Sequence, residues 1–115
     1  MLPGPDAFEI TPAELSALRD AEDAPPFRLV DCREEDEYAF CRIEGAHLLP
    51  LSRFAHEAPA ALDGDPPHPA VVYCHHGVRS MRATVFLRDR GIPAWSLAGG
   101  IEAWSTQVDP TVPRY

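Results

Sequence analysis

The chain has 115 residues, 45% of them apolar and 24% charged, a composition that fits one globular domain and excludes disorder. Eighteen acidic against ten basic residues give a net charge of −8, which argues against nucleic acid and anionic membrane surfaces as partners. No apolar run approaches the roughly 18 residues of a membrane span, and Met1-Leu2-Pro3-Gly4-Pro5-Asp6 lacks the basic region and apolar core of a signal peptide, so a cytoplasmic location is expected.

Residues 1–7 read as an N-terminal tail and 8–115 as the domain. Phe8-Glu9-Ile10 is a short strand. Thr11-Pro12-Ala13-Glu14 carries a helix start, with Thr11 as N-cap, Pro12 at the first helical position and Glu14 completing a capping box. Leu15 and Leu18 form the apolar face, and Ala24-Pro25-Pro26 ends that segment. Phe27 to Asp31 is a buried strand and Glu34 to Phe40 a short helix with acids in its first turn. Ala46 to Leu49 is a strand closed by Pro50. Ser52 is expected to cap a helix over Arg53 to Leu62. Asp63 to Pro69, with three prolines, is a loop.

Ala70 to Tyr73 is an apolar strand leading into Cys74. Arg79 to Arg90 is a helix ended by Gly91, with Ser80 as its expected N-cap. Ala94 to Leu97 is the last strand, Gly99-Gly100 turns, and a final helix runs through Trp104. Val108 to Tyr115 is expected to be ordered, with Val112 and Tyr115 packing down. Strand and helix alternate, which implies an α/β fold with a mainly parallel sheet.

Cys74-His75-His76-Gly77-Val78-Arg79-Ser80 lies between a buried strand and a helix start. In open α/β sheets such a position, outside the carboxyl end of a strand, is where sites form. Backbone N–H groups of the turn and the helix N-terminus make an anion cradle there. An ordinary thiol has a pKa of about 8.5, and such surroundings lower it to roughly 3.5–7.5. Cys74 is thus the candidate nucleophile, with His75, His76, Arg79 and Arg82 as expected sources of positive field. Gly77 is expected to take a backbone angle that a side chain blocks. Arg79 is the candidate anion binder through its planar fork, the alternative being an ion pair with a surface acid. Ser80, besides capping, is a candidate donor to bound sulfur. A metal on Cys74, His75 and His76 is rejected, because three consecutive residues do not face one tetrahedral ion. Cys32 and Cys41 read as buried, small apolar residues, the alternatives being a bond between the two or one of them resolving an intermediate on Cys74.

The loop resembles that of single-domain rhodaneses, a sulfurtransferase family, over the stretch from Phe8 to the C-terminus. Asp31-Cys32-Arg33 resembles the family's D-x-R segment and Ile43-Glu44-Gly45-Ala46 its I-x-G-A segment, here preceded by Cys41-Arg42 where glycine-histidine is more usual. Leu97-Ala98-Gly99-Gly100-Ile101-Glu102-Ala103-Trp104 is similar to the closing L-x-G-G-I-x-x-W. From Cys74 to Arg79 the spacing is C-x4-R, whereas cysteine-dependent phosphatases have C-x5-R. The shorter loop fits a single sulfur atom, the longer one a tetrahedral oxyanion.

The resemblance implies a three-layer domain with a central, mainly parallel five-stranded sheet flanked by helices. It implies sulfur transfer from a small donor such as thiosulfate to a protein or small-thiol acceptor through a Cys74 persulfide, without metal or organic cofactor. Residues 75–80 would form the substrate loop. Asp31 and Arg33 would brace it or form a structural ion pair. Two alternatives stay open: a non-catalytic persulfide relay or docking module, and an arsenate reductase or phosphatase on the same fold.

Overall fold

The structure, a computed structural model, describes residues 2–64 and 67–115. Met1 of the expected tail, and Asp65 and Pro66 of the expected loop, lie outside the described residues. Five strands, β1 (Glu9–Ile10), β2 (Arg28–Asp31), β3 (His47–Leu48), β4 (Ala70–Tyr73) and β5 (Ala94–Leu97), form one sheet in the order β1-β5-β4-β2-β3. Every pairing is parallel.

The helices are α1 (Pro12–Asp20), α2 (Glu35–Phe40), α3 (Leu51–Ala61), α4 (Val78–Asp89) and α5 (Gly100–Gln107). None is long and apolar enough to cross a membrane. Alternation of side chains along each strand divides the core in two. Leu29, Val71, Tyr73 and Leu97 point to the α1 and α5 side, where Leu15, Leu18, Ile101 and Trp104 close the layer. Val30, Cys32, Val72 and Cys74 point to the α3 and α4 side, against Phe54, Ala58, Ala83 and Leu87. The central strand β4 is buried along its whole length, as a strand covered on both faces must be.

The capping box forms as read from the sequence: Glu14 N–H donates to Thr11 Oγ1 at 3.1 Å and Thr11 N–H to Glu14 Oε1 at 2.9 Å. Ser52 does not cap α3. That helix starts at Leu51 after Pro50, and the Ser52 hydroxyl donates instead to Glu34 Oε1 at 2.6 Å, tying the start of α2 to α3. Ser80 does not cap α4 either. Gly77 does, at φ 106°, a left-handed conformation that glycine adopts without the strain a side chain would bring. The last helix runs to Gln107, past Trp104.

Candidate active site

Cys74 follows β4 at its carboxyl end, in the middle of the sheet, and is buried at the base of the 75–80 loop. Its Sγ accepts hydrogen bonds from Gly77 N–H at 3.0 Å and Ser80 N–H at 3.3 Å. Ser80 Oγ lies 3.4 Å from the sulfur and 2.7 Å from Ser96 Oγ. Once the sulfur is ionised, the Ser80 hydroxyl is its donor and Ser96 supports that hydroxyl in turn. Ser80 thus sits in the first turn of α4, where its unpaired N–H points at the sulfur.

This donor shell acidifies Cys74. Its thiol is lowered to about 4, first by the neighbouring Cys32 thiol and then by the Ser80 hydroxyl and the Ser80 and Gly77 amides, against the opposing effect of burial. The sequence pointed to the loop amides and helix N-terminus together with a field of histidines and arginines. The amides act as expected, the Cys32 thiol and Ser80 hydroxyl join them, and of the cations Arg79 is coupled to the sulfur. Burial, and after it the neighbouring His76, pushes His75 below the ordinary histidine range. Its ring is stacked between His76 at 3.9 Å and Tyr115 at 3.8 Å, and its Nε2 is buried without a hydrogen-bond partner. His76 and Val78 stand exposed at the rim.

Arg79 is taken up by an acid. Its Nη1 and Nη2 donate to Glu37 Oε1 and Oε2 at 2.7 and 2.9 Å, a bidentate clamp between α4 and α2. Arg79 holds the Glu37 carboxyl down at about 2. The Tyr115 hydroxyl also donates to Glu37 Oε2, at 2.7 Å. Arg33, in turn, donates to that hydroxyl at 2.9 Å.

Asp31 and Arg33 are both fully buried and form an ion pair with Nη2–Oδ2 at 2.6 Å. Arg33 also donates to the Cys41 carbonyl at 2.6 Å. The pair therefore touches the loop only indirectly: Arg33 positions Tyr115, and Tyr115 backs His75.

Three contributors were not assigned from sequence. Gly99 and Gly100 do more than turn the chain, since Ile101 N–H donates to the Cys74 carbonyl at 2.9 Å and Glu102 N–H to that of His75 at 3.1 Å. A Cβ on Gly100 would collide with both carbonyl oxygens. The start of α5 thus holds the loop carbonyls outward, leaving its amides to face the sulfur. The second contributor is Glu37, and the third is Cys32. Cys32 follows one buried strand as Cys74 follows another, which was visible in the sequence, but that they share a face depends on the β2–β4 register.

A model of the rhodanese-like domain matches residues 11–107. A thiosulfate sulfurtransferase, GlpE, of Actinobacillus succinogenes is 32% identical, over 84% of this chain and 82% of that protein. An adenylyltransferase and sulfurtransferase, MOCS3-1, of Zea mays is 33% identical over 96% of the chain, and a probable adenylyltransferase/sulfurtransferase, MoeZ, of Mycobacterium tuberculosis is 37% identical over 92%. The chain spans about a quarter of those two proteins, 24% and 26%. A crystal structure of a rhodanese-related protein from Thermoplasma volcanium superposes with a TM-score of 0.76 at 28% identity, covering 93% of this chain and 98% of that one. The chain belongs to the rhodanese-like domain family, and its all-parallel five-stranded sheet between two helical layers is the fold that resemblance implied.

Proposed function

We propose that the chain is a sulfurtransferase that carries sulfane sulfur on Cys74, with thiosulfate as a competent donor. The observation behind this reading is the shell at Cys74 Sγ, two backbone amides and a hydroxyl gathered around the sulfur. The thiolate attacks the outer sulfur of thiosulfate. A bond from Cys74 Sγ to that sulfur forms, the S–S bond of thiosulfate breaks, and sulfite leaves with its electron pair. The loop of His75 to Ser80 then stabilises the persulfide anion electrostatically. A thiophilic acceptor, cyanide in an assay and a protein or small thiol in the cell, takes the outer sulfur. No metal or organic cofactor enters these steps, and a cytoplasmic setting with reduced thiols suits them.

Intact-protein mass after incubation with thiosulfate tests this. The wild type should gain one sulfur atom, lose it to cyanide, and show no gain as Cys74→Ala. A Cys74→Ala protein with full transfer activity would end the proposal. The C-x4-R loop further predicts negligible hydrolysis of a chromogenic aryl phosphate.

One observation favours a second reading. With Arg79 clamped by Glu37, the loop holds no free guanidinium at that position for a small dianion. A carrier loaded by a partner protein does not need one. Persulfide loading by a cysteine desulfurase, and none by thiosulfate, would select this relay role.

A further inference from the structure

The strand register puts a second thiol beside the candidate nucleophile. β2 and β4 run parallel with Asp31 opposite Tyr73. The Cys32 N–H donates to the Tyr73 carbonyl at 3.0 Å, which carries the ladder one residue beyond the strands. Cys32 and Cys74 are the next positions in that register. Both side chains enter the same core layer, on the α3 and α4 side. Neighbouring strands lie about 4.7–4.9 Å apart. That spacing falls within the Cα separation of about 4.4–6.8 Å that a disulfide bridges.

Both residues are buried and all three cysteines are free thiols. Cys41 lies in the opposite core layer, with its sulfur against Arg33. Cys32 therefore has one sulfur within reach, that of Cys74. Contact with the Cys74 sulfur, and burial after it, push the Cys32 thiol well above its ordinary range, so it keeps its proton.

We propose that Cys32 is a resolving thiol that discharges the Cys74 persulfide as hydrosulfide. The step rests on the sulfurtransferase reading above. Cys32 Sγ attacks Cys74 Sγ, a Cys32–Cys74 bond forms, and the bond from Cys74 Sγ to the outer sulfur breaks. The outer sulfur leaves with the electron pair, takes the Cys32 proton and departs as HS⁻. The Cys32 sulfur is oxidised by one unit and the departing sulfur reduced by one. An external dithiol reductant then reopens the disulfide by thiol exchange. The chain thereby gains an activity distinct from transfer to an acceptor, namely the reductive release of sulfide from a sulfane donor.

The test loads wild type, Cys32→Ala and Cys32→Val with sodium tetrasulfide or thiosulfate, removes excess reagent, and follows hydrosulfide, intact mass and a non-reduced peptide map. A parallel wild-type sample is oxidised with diamide. The wild type should release stoichiometric hydrosulfide, end two hydrogens lighter than the starting protein, and map a Cys32–Cys74 link, which diamide alone should also form. Both variants should gain a sulfur atom and keep it, with hydrosulfide at reagent background. Circular dichroism and a cooperative urea transition report that each variant has folded. The inference falls if the wild type loads but retains its persulfide, if both variants release hydrosulfide as fast as wild type, or if diamide maps no Cys32–Cys74 link. If neither reagent loads any of the three proteins, the sulfurtransferase reading falls, and hydrosulfide release falls with it.

Discussion

At Cys74 the chemistry is set by short-range dipoles from two neighbouring segments: the Cys32 thiol after β2, and the Ser80 hydroxyl with the Gly77 and Ser80 amides. Such dipoles favour the charged form of the sulfur and disfavour the neutral one, so the thiolate is the resting state above a pH of about 4. The sign follows directly. Alkylation of Cys74 by iodoacetamide should be independent of pH from neutrality down to about 5 and fall off through about 4, where an ordinary thiol would already be losing reactivity below about 8.5. Cys32→Ala removes the leading donor and should move the inflection to higher pH. A wild-type inflection near that of a free thiol would show that the donor shell is not engaged. Glu37 makes the converse case for stability. Its folded pKa is depressed to about 2, so its contribution is present above the ordinary value of 4.5 and is lost as pH falls toward 2. Glu37→Gln should therefore flatten the acid limb of a stability–pH curve measured by urea unfolding.

Between elements, the start of α5 and the loop after β4 are packed backbone to backbone, and the glycine pair allows it. Gly100→Ala should destabilise by about 1–3 kcal/mol for the left-handed residue alone, with a further loss from collision with the Cys74 and His75 carbonyls. Gly91 is the control: its φ is also positive, at 78°, but a Cβ there meets nothing within 4 Å. Denaturant midpoints for the two variants separate collision from backbone strain, and equal losses would refute the packing argument.

This contrast also marks how far the sequence could be read. The alternation of apolar strands with helices, the Thr11–Glu14 box and the position of Cys74 were all legible, because each depends on residues close in the chain. The capping roles read for Ser80 and Ser52 failed for a related reason, while the position of Ser80 as a donor at the sulfur held. A serine near a helix start is a good cap by propensity, but here Gly77 leads into α4 and Pro50 into α3, and each hydroxyl binds a tertiary partner instead. Glu37, Tyr115 and Cys32 reach the site from distant segments, through strand order and register that composition does not encode.

For the molecule as a whole, a charge of −8 opposes the approach of a dianionic donor. The sequence-local cluster of two arginines and two histidines from Cys74 to Arg82 argued for local attraction, yet Arg79 is paired and His75 is driven toward its neutral form. Repulsion should then dominate, and kcat/KM for thiosulfate should rise with added salt as the screening length shrinks from about 10 Å at 0.1 M. A rate that falls with salt would show that the loop retains an attractive field. Glu37→Gln removes one negative charge and frees Arg79, so it should lower KM for thiosulfate.

The register of β2 against β4 has a consequence for folding as well. The acidity of Cys74 depends on a segment far earlier in the chain, and it exists only after those two strands have docked. An unfolded chain carries three unremarkable thiols, of which only a few thousandths are ionised at about pH 6. A brief pulse of alkylating reagent at that pH should mark the native population and pass over the rest. Cys74 would then serve as a built-in clock for the arrival of the centre of the sheet, readable by mass during refolding without any added probe.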